Sequence, residues 1–202
     1  MSADYIVIVG LGNPGKEYAS HRHNLGFMVA DHLCEDCKGS WTAPPEKARL
    51  AKVSIEGFRV ALVKPMTFMN LSGKAVNPIV NRLGADPARM IVIHDDLDLD
   101  AGSVKVKQGG GDGGHRGIRS IAESLRFRDF ARIRLGIGRP PADISPVDYV
   151  LQSYSPAEIP ELKALIKRAN RAVRLILTHG VQRAQNLVHS ENRADGGAKT
   201  AS

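Results

Sequence analysis

The sequence has no long apolar segment. None of its apolar runs approaches the roughly 18–20 residues that a membrane-spanning helix needs, which argues against a membrane protein. The start also lacks the pattern of a secretory signal, because Asp4 precedes an apolar run of only a few residues. We therefore expect a cytoplasmic protein that does not associate with membranes.

Cysteine is scarce, with Cys34 and Cys37 the only two in the chain. A structural zinc site needs four ligands, and no second cysteine pair exists. A redox CxxC normally opens a helix after a strand, whereas this one falls late in a helical pattern with Glu35 and Asp36 beside it. Nearby carboxylates raise the pKa of a thiol, so we interpret both residues as reduced cysteines of a helix.

The chain of 202 residues fits one domain, and its apolar fraction of 43% is ordinary for a globular protein. It contains 28 Lys and Arg against 21 Asp and Glu, which gives a net charge of +7. This excess suits a polyanionic partner such as RNA, but charge alone identifies neither the fold nor the chemistry.

Strand-like and helix-like patterns alternate along the chain. The predicted strands are residues 5–9, 52–55, 59–63, 90–94, 103–107 and 132–137. The predicted helices are residues 24–37, 69–83, 118–125 and 156–179. This alternation predicts an α/β fold with a single domain over residues 1–189 and a mostly parallel, twisted central sheet with helices on both faces. Residues 190–202 are small and polar, and we predict a disordered tail there.

The last predicted helix has a basic face opposite its apolar one. The basic residues are Lys163, Lys167, Arg168, Arg171 and Arg174. Either a solvated surface or an RNA-binding face would explain them, and the sequence leaves both interpretations open.

Gly10-Leu-Gly12-Asn-Pro-Gly15 matches the GxGxxG pattern of a dinucleotide site. Residues 16–23, however, lack a helical apolar stripe, and Asp31, at the spacing of a ribose-binding carboxylate, falls within a predicted helix. We therefore favour a tight turn that needs positive φ at its glycines. A dinucleotide-binding oxidoreductase is the less favoured alternative.

Acidic residues cluster after the predicted strand at 90–94. An EF-hand loop beginning at Asp96 would place Ala101 where glycine is needed and Lys107 where the closing glutamate belongs, which excludes a calcium loop. A Mg²⁺ site made by Asp95 and Asp96 stays open, although we expect no metal. The segment does place carboxylates at the carboxyl end of a buried strand, where ligand sites of open α/β sheets gather.

The segment from Gln108 to Gly117 has six glycines among ten residues. Such a loop exposes backbone N–H groups, and the helix that follows adds a positive end for a phosphate or an oxyanion. It lacks the Gly-Lys-Ser/Thr of a Walker loop, which argues against a nucleoside triphosphate.

Five segments together resemble the bacterial peptidyl-tRNA hydrolase family, in its order and approximate spacing. They are Gly10-Leu-Gly-Asn-Pro-Gly15, Arg22-His-Asn24, Thr67-Phe-Met-Asn-Leu-Ser-Gly73, His94-Asp-Asp-Leu-Asp98 and Gly113-Gly-His-Arg-Gly117. The resemblance covers about residues 5–190. It implies an enzyme that hydrolyses the ester between a peptide and tRNA, without a cofactor or metal. Its implied partner is peptidyl-tRNA, and its implied active form is a monomer.

The resemblance assigns His23 as the general base and Asp95 as the carboxylate that fixes its tautomer. A histidine suits a base because its unperturbed pKa of about 6.5 lies near neutral pH. The chain has seven histidines, of which His21 is the obvious rival. His94 is predicted to lie inside a strand.

The resemblance also implies the substrate contacts. The implied substrate-binding residues are Asn13, Tyr18, Asn24, Phe68, Met69, Asn70, Gly113, His115 and Arg116. Asn13 would sense the peptide, because an amide both donates and accepts, and Asn70 would hold the 3′ end and the water. Tyr18 would stack on or bond to the tRNA terminus. The implied contacts to tRNA phosphates are Lys105, Lys107 and Arg134.

Arg116 departs from the family pattern, in which an asparagine commonly follows this histidine and contacts the substrate. Arginine cannot accept a hydrogen bond, so it either binds the terminal phosphates or points outward. A non-catalytic RNA-binding relative of the same fold is a further alternative to the enzyme. An RNA-binding surface alone does not require Asn13, His23, Asn70 and Asp95 together, and we therefore favour the enzyme.

Overall fold

Six strands and six α-helices form the part of the chain that the structure describes. A computed structural model describes residues 5–199, with side chains described through Glu191. The strands are β1 (Ile6–Gly10), β2 (Ala48–Ile55), β3 (Phe58–Pro65), β4 (Ile91–Asp96), β5 (Val104–Gln108) and β6 (Ala131–Gly136). The helices are α1 (Leu25–Asp36), α2 (Ser72–Leu83), α3 (Arg116–Leu125), α4 (Pro146–Val150), α5 (Ile159–His179) and α6 (Val181–Lys199).

The strands form one twisted sheet in the order β2-β3-β1-β4-β6-β5. β1 pairs in parallel with β3 and β4, and β4 pairs in parallel with β6. The two edge strands, β2 and β5, are antiparallel to their neighbours. The predicted mostly parallel sheet is confirmed, as are the hairpin of β2 and β3 and the edge position of β5.

Helices cover both faces of the sheet, as predicted. Successive side chains of a strand point to opposite faces. Along β1, Ile6 and Ile8 lie in the apolar cluster with α1, α5 and α6, whereas Val7 and Val9 lie in the cluster with α2 and α3. Burial on both faces explains why β1 is continuously apolar.

The helix α6 extends into the segment where the sequence predicts disorder. Ala184 and Val188, four residues apart and therefore on one side of the helix, are buried. The His189 ring accepts a hydrogen bond from the Val106 N–H of β5 at 3.3 Å. Once a helix is anchored, each further residue adds one backbone hydrogen bond. This explains why α6 continues to Lys199. Residues 200–202 of the predicted tail lie outside the described residues.

The basic face of α5 is largely used within the protein. Arg168 donates to the Gly102 carbonyl, Arg171 pairs with Glu191, and Arg174 bridges two carboxylates on neighbouring segments. These contacts favour a structural role over an RNA-binding face. None of the helices in the described part of the chain is long and apolar enough to cross a membrane.

The two cysteines are free thiols at the end of α1. Cys34 is buried, and Cys37 follows the last residue of the helix. Burial raises the pKa of both thiols. This agrees with the interpretation of both as reduced helix cysteines, because a thiol with a raised pKa is a poor nucleophile.

Candidate active site

A groove of about 580 Å³ opens beside the carboxyl ends of the parallel strands β1 and β4. Ligand sites in α/β folds gather at this edge of the sheet. The residues of the sequence-based prediction that line it are Asn13, Tyr18, His23, Phe68, Met69, Asn70, Asp95, Gly113, His115 and Arg116. The fold therefore brings together segments that are more than 100 residues apart in the chain.

The close contact between α1 and β1 sets the position of His23. His23 lies in a single 3-10 turn, Arg22–Asn24, just before α1. At the start of α1, a Cβ on Gly26 would lie 2.3 Å from the Leu11 nitrogen, so only glycine allows this approach. A Cβ on Gly10 would lie 2.2 Å from the Gly26 carbonyl oxygen of α1, and one on Gly12 would lie 2.6 Å from the Phe27 ring. Of the three motif glycines, positive φ occurs only at Gly15. The prediction of positive φ throughout this turn is therefore wrong for two of them.

The same geometry disfavours a dinucleotide in the GxGxxG turn. The helix after that motif should begin within it and direct its N-terminus at the pyrophosphate. Here a 3-10 turn, Lys16–Tyr18, follows the motif, and α1 begins only at Leu25. Asp31 lies inside α1, as the sequence predicts.

His23 is paired with Asp95, the carboxylate near the end of β4. The His23 Nδ1 atom lies 2.9 Å from both Asp95 oxygens, and Asp95 is only 3% exposed. An ionised carboxylate only accepts, so Nδ1 has the proton and Nε2 has the free lone pair. The imidazole is thereby held in the tautomer that a general base requires.

The two groups stabilise each other's charged forms. Burial lowers the pKa of His23. The charge of Asp95 and its hydrogen bond together raise that pKa by more than burial lowers it, so the pKa lies above its usual value. The positive charge of Arg116 partly opposes this rise. Burial pushes the pKa of Asp95 upward, but His23 and His115 hold it well below its usual range. The carboxylate therefore stays ionised at neutral pH.

His115 uses both of its ring nitrogens inside the protein. Its Nδ1 accepts from the backbone N–H groups of Gly117 and Ile118 at 3.2 and 3.4 Å, which caps α3. Nε2 consequently has the proton and donates to Asp95 Oδ1 at 3.2 Å. No nitrogen is left to hydrogen-bond a substrate, although the ring lines the groove as the resemblance implies. His115 instead supports the Asp95 carboxylate.

The rival histidines do not have the surroundings of a base. His21 packs edge-on against Tyr18, with ring centroids 5.3 Å apart, and does not line the groove. His94 lies inside β4, as predicted, and its Nδ1–H donates to the Asp95 backbone carbonyl at 2.7 Å. Burial lowers the pKa of His94 to about 3, so this ring stays neutral.

Asn13 is fixed by two neighbours. Its Oδ1 accepts from the Met69 N–H at 2.8 Å, which leaves its NH₂ group as the donor available to the groove. Asn24 exchanges two hydrogen bonds of 2.9 Å with the Asn13 backbone and is 2% exposed. Asn24 does not line the groove. Its predicted place in the substrate groove is therefore wrong, because its amide is buried and pairs with the Asn13 backbone.

The segment after β3 forms one rim of the groove. Phe68 is 59% exposed there, and Asn70 beside it is also exposed. Met69 between them is buried, and its sulfur would lie only 2.5 Å from a Cβ on Gly117. Gly117 thus lets the start of α3 approach this rim closely.

The three predicted phosphate contacts lie outside the groove lining. Lys105 and Lys107 are exposed on β5, and Lys105 lies directly opposite Arg134 on β6. Directly opposite residues of an antiparallel pair share one face, so these cations form a common positive surface. Arg134 also donates through Nε to Asp96 at 2.7 Å.

The acidic residues of β4 do not form a Mg²⁺ pair. Asp95 and Asp96 are successive strand residues and point to opposite faces. The atoms that lie together are one each from His23, Asp95 and His115, within 4.8 Å of one another. The His115 Nε2 has the proton that it donates to Asp95, so it is not a free metal ligand.

A short helix that the sequence reasoning missed completes the groove. Val147, Val150 and Leu151, in and just after α4, line its apolar wall. The signal was a helix start, because Ser145 accepts from the Asp148 N–H and proline follows at the first helical position. At five residues, α4 is too short for a periodic pattern to reveal it.

A histidine held by a buried carboxylate and facing a groove at the carboxyl edge of the sheet is an arrangement suited to hydrolysis by general-base activation of water. The family model described as peptidyl-tRNA hydrolase matches residues 7–195. The peptidyl-tRNA hydrolase of Frankia alni is 46% identical over 184 residues, which cover 91% of this chain and 93% of that protein. The corresponding protein of Rhodococcus opacus is 46% identical over 94% of this chain and 100% of its own length.

The fold comparison agrees with the sequence comparison. The crystal structure of peptidyl-tRNA hydrolase from Acinetobacter baumannii matches with a TM-score of 0.85 and 34% identity, covering 93% of this chain and 96% of that one. The chain belongs to the peptidyl-tRNA hydrolase family.

Proposed function

We propose that this protein hydrolyses the ester that joins a peptide to the 3′ ribose of tRNA, with His23 as the general base. The observation that supports it most is the His23 Nδ1–Asp95 contact of 2.9 Å, with the imidazole lining the groove. Membership of the peptidyl-tRNA hydrolase family supplies the substrate class. The activity would return tRNA to translation after a ribosome releases peptidyl-tRNA prematurely.

His23 acts on a water molecule in the groove. Nε2 takes a proton from the water as its oxygen attacks the ester carbonyl carbon, and Asp95 stabilises the imidazolium that forms. The bond between the carbonyl carbon and the ribose oxygen then breaks, and the imidazolium returns its proton to that oxygen. The products are a peptide with a free carboxylate and a tRNA with a free 3′-terminal hydroxyl. Because an aminoacyl ester is already activated, this route needs no cofactor or metal.

The rims of the groove bind the two halves of the substrate. The Asn13 NH₂ group donates to the first peptide carbonyl, which an unblocked aminoacyl-tRNA lacks. Asn70 and the exposed Phe68 hold the terminal nucleotide and the water. Gly113 gives the substrate backbone room to approach, and Tyr18 stacks on the tRNA terminus.

The positive surface formed by Lys105, Lys107 and Arg134 binds phosphates of the acceptor stem. Such contacts position a nucleic acid and contribute the salt-dependent part of its affinity. We also propose that the enzyme acts as a monomer. Peptidyl-tRNA is produced at ribosomes, and we place the enzyme with them in the cytoplasm.

Hydrolysis of N-acetyl-aminoacyl-tRNA by the purified protein tests the proposal. We expect release of N-acetyl-amino acid with the unblocked aminoacyl-tRNA cleaved far more slowly, because only the blocked substrate offers Asn13 a peptide carbonyl. Tight tRNA binding without hydrolysis would instead support the alternative of a non-catalytic RNA-binding relative. Cleavage of both substrates at equal rates would contradict the role given to Asn13.

A further inference from the structure

Arg22, the residue before the base, is a buried cation between two aromatic rings. It is 8% exposed, and its guanidinium carbon lies 4.9 Å from the centre of the Tyr149 ring and 4.7 Å from that of Tyr154. Its Nη1 atom lies 2.7 Å from Glu158 Oε1. The charge is thus compensated inside the protein and faces no substrate phosphate, since Arg22 does not line the groove.

Backbone hydrogen bonds join the same two segments. The Arg22 N–H donates to the Gln152 carbonyl at 2.9 Å, and the Tyr154 N–H donates to the Ser20 carbonyl at 3.2 Å. His21 and Ser153 between them form an antiparallel bridge. The chain thus enters the His23 turn as one side of a short two-stranded ribbon. The position of that ribbon sets the starting point of the imidazole.

The Arg22 guanidinium also contacts the helix that forms the apolar wall of the groove. Tyr149 belongs to α4, and its hydroxyl donates to the Ile137 carbonyl at 2.8 Å. Val147 and Val150 on the same helix line the groove. One guanidinium therefore lies between the turn that contains the base and the wall that the substrate touches.

We propose that Arg22 is a positioning residue for hydrolysis: stacked between Tyr149 and Tyr154 and paired with Glu158, it holds the His23 turn and the α4 wall as one unit. This proposal depends on the proposed function of His23. Arginine fits the task because its planar, permanently charged guanidinium stacks on rings and pairs with a carboxylate at the same time. A lysine ammonium pairs with Glu158 but does not stack as a plane.

A role limited to fold stability predicts a different result from a positioning role. The charged and titratable groups that face His23 are Asp95 on β4, His115 before α3 and Arg116 at the start of α3. In a positioning role, loss of the Arg22 contacts with Tyr149, Tyr154 and Glu158 lets His23 move away from Asp95. The raised pKa of His23 then falls. Arg22 holds the pKa of Glu158 at about 2, and titration of Glu158 therefore does not enter the acid limb near neutral pH.

The test compares Arg22→Met, Arg22→Lys and Glu158→Gln with Arg171→Met, a control that removes an exposed guanidinium paired with Glu191. We measure kcat and KM for N-acetyl-aminoacyl-tRNA against pH, and the pKa of the His23 imidazole by NMR. A displacement of about 1 Å at a reacting group can reduce a rate by about 10²-fold. For Arg22→Met we expect kcat to fall at least about tenfold, KM to change little, and the acid limb to move to lower pH.

Arg22→Lys should have a higher kcat than Arg22→Met. Glu158→Gln should also move the acid limb to lower pH, by less than Arg22→Met does. Should Arg22→Met fail to fold, these two variants and the NMR titration decide the question. A folded Arg22→Met protein with unchanged kcat and an unmoved His23 pKa would overturn the proposal. If the wild-type protein shows no hydrolysis, the proposed function fails, whereas a lower His23 pKa in the variants would still demonstrate the positioning effect.

Discussion

Asn24 holds Asn13 in place through a reciprocal pair of hydrogen bonds. The Asn24 Oδ1 atom accepts from the Asn13 N–H, and its Nδ2 donates to the Asn13 carbonyl, both at 2.9 Å. Both residues are nearly fully buried, so bulk water has little access to either bond. Asn24 thus acts on the substrate only through the orientation of Asn13.

Asn24→Ala should therefore weaken both stability and recognition of the peptide. Two buried backbone groups lose their partners, which costs about 1–3 kcal/mol each and lowers Tm by several degrees. The preference for N-acetyl-aminoacyl-tRNA over aminoacyl-tRNA should fall, while the acid limb stays in place because His23 and Asp95 are untouched. The matched control is Asn81→Ala, which removes an exposed amide bonded to Asn77. An unchanged substrate preference in Asn24→Ala would contradict this role.

The sequence predicts the elements around Asn24 but not the contacts of its side chain. The periodicity of apolar residues along the sequence predicts the strands, the exposed edge strands and the apolar faces of the helices, because apolar residues recur at the positions that are buried. The direction of the Asn24 amide depends on how α1 approaches β1, and that approach depends on Gly10 and Gly26. Such contacts between segments are not encoded in a local pattern, and a resemblance supplies roles without geometry.

The same limit applies to the histidines and to Arg22. His23 and Asp95 came from the resemblance, and the structure places them in contact. The structure shows that both ring nitrogens of His115 form hydrogen bonds, one with the start of α3 and one with the Asp95 carboxylate. The sequence does not show that these three groups lie together. Arg22 stacks on rings about 130 residues away in the chain, which no spacing rule connects.

Asp95→Asn should move the acid limb of kcat/KM to lower pH. Hydrolysis needs neutral His23, so activity is lost as the pH falls through the raised pKa of this group. Without the carboxylate charge, that pKa falls and the limb follows it. The maximal rate should drop by about tenfold to 10²-fold, because the imidazolium loses its stabilising partner. A pH–rate profile measures both effects, and an unmoved limb would mean that Asp95 does not act on the histidine.

Arg116→Ala should raise KM several-fold and flatten its salt dependence, with kcat little changed. The side chain is exposed at the groove beside the glycine-rich loop, where the phosphates of the 3′ end must pass. Because the charge of Arg116 lowers the pKa of His23, its removal should also move the acid limb to higher pH. Arg116→Asn should keep or improve kcat by restoring the usual contact of the family.

Kinetics at two salt concentrations decide whether Arg116 binds the terminal phosphates or points into solvent. The control is Lys163→Ala, on the exposed face of α5. If Arg116→Ala matches the wild type in KM, kcat and pH profile, the residue is a solvated surface side chain.

The double variant Lys105→Ala/Lys107→Ala should bind full-length tRNA substrates more weakly. KM should rise, and its salt dependence should weaken by about one unit of slope per lost phosphate contact. A short ester of the CCA end should be cleaved almost as before, since both lysines lie outside the groove. Lys163→Ala/Lys167→Ala removes the same charge from α5 and serves as the control. Equal losses on the long and short substrates would place the two lysines in the fold or at the ester instead.

The rate of N-acetyl-aminoacyl-tRNA hydrolysis by His23→Ala tests the central claim most directly. Removal of a general base costs at least about 10²-fold in rate, and we expect that loss in kcat with tRNA affinity and thermal unfolding close to those of the wild type. His21→Ala, which removes the neighbouring ring outside the groove, should retain most of the activity. Near-normal turnover by a folded His23→Ala protein would contradict the account.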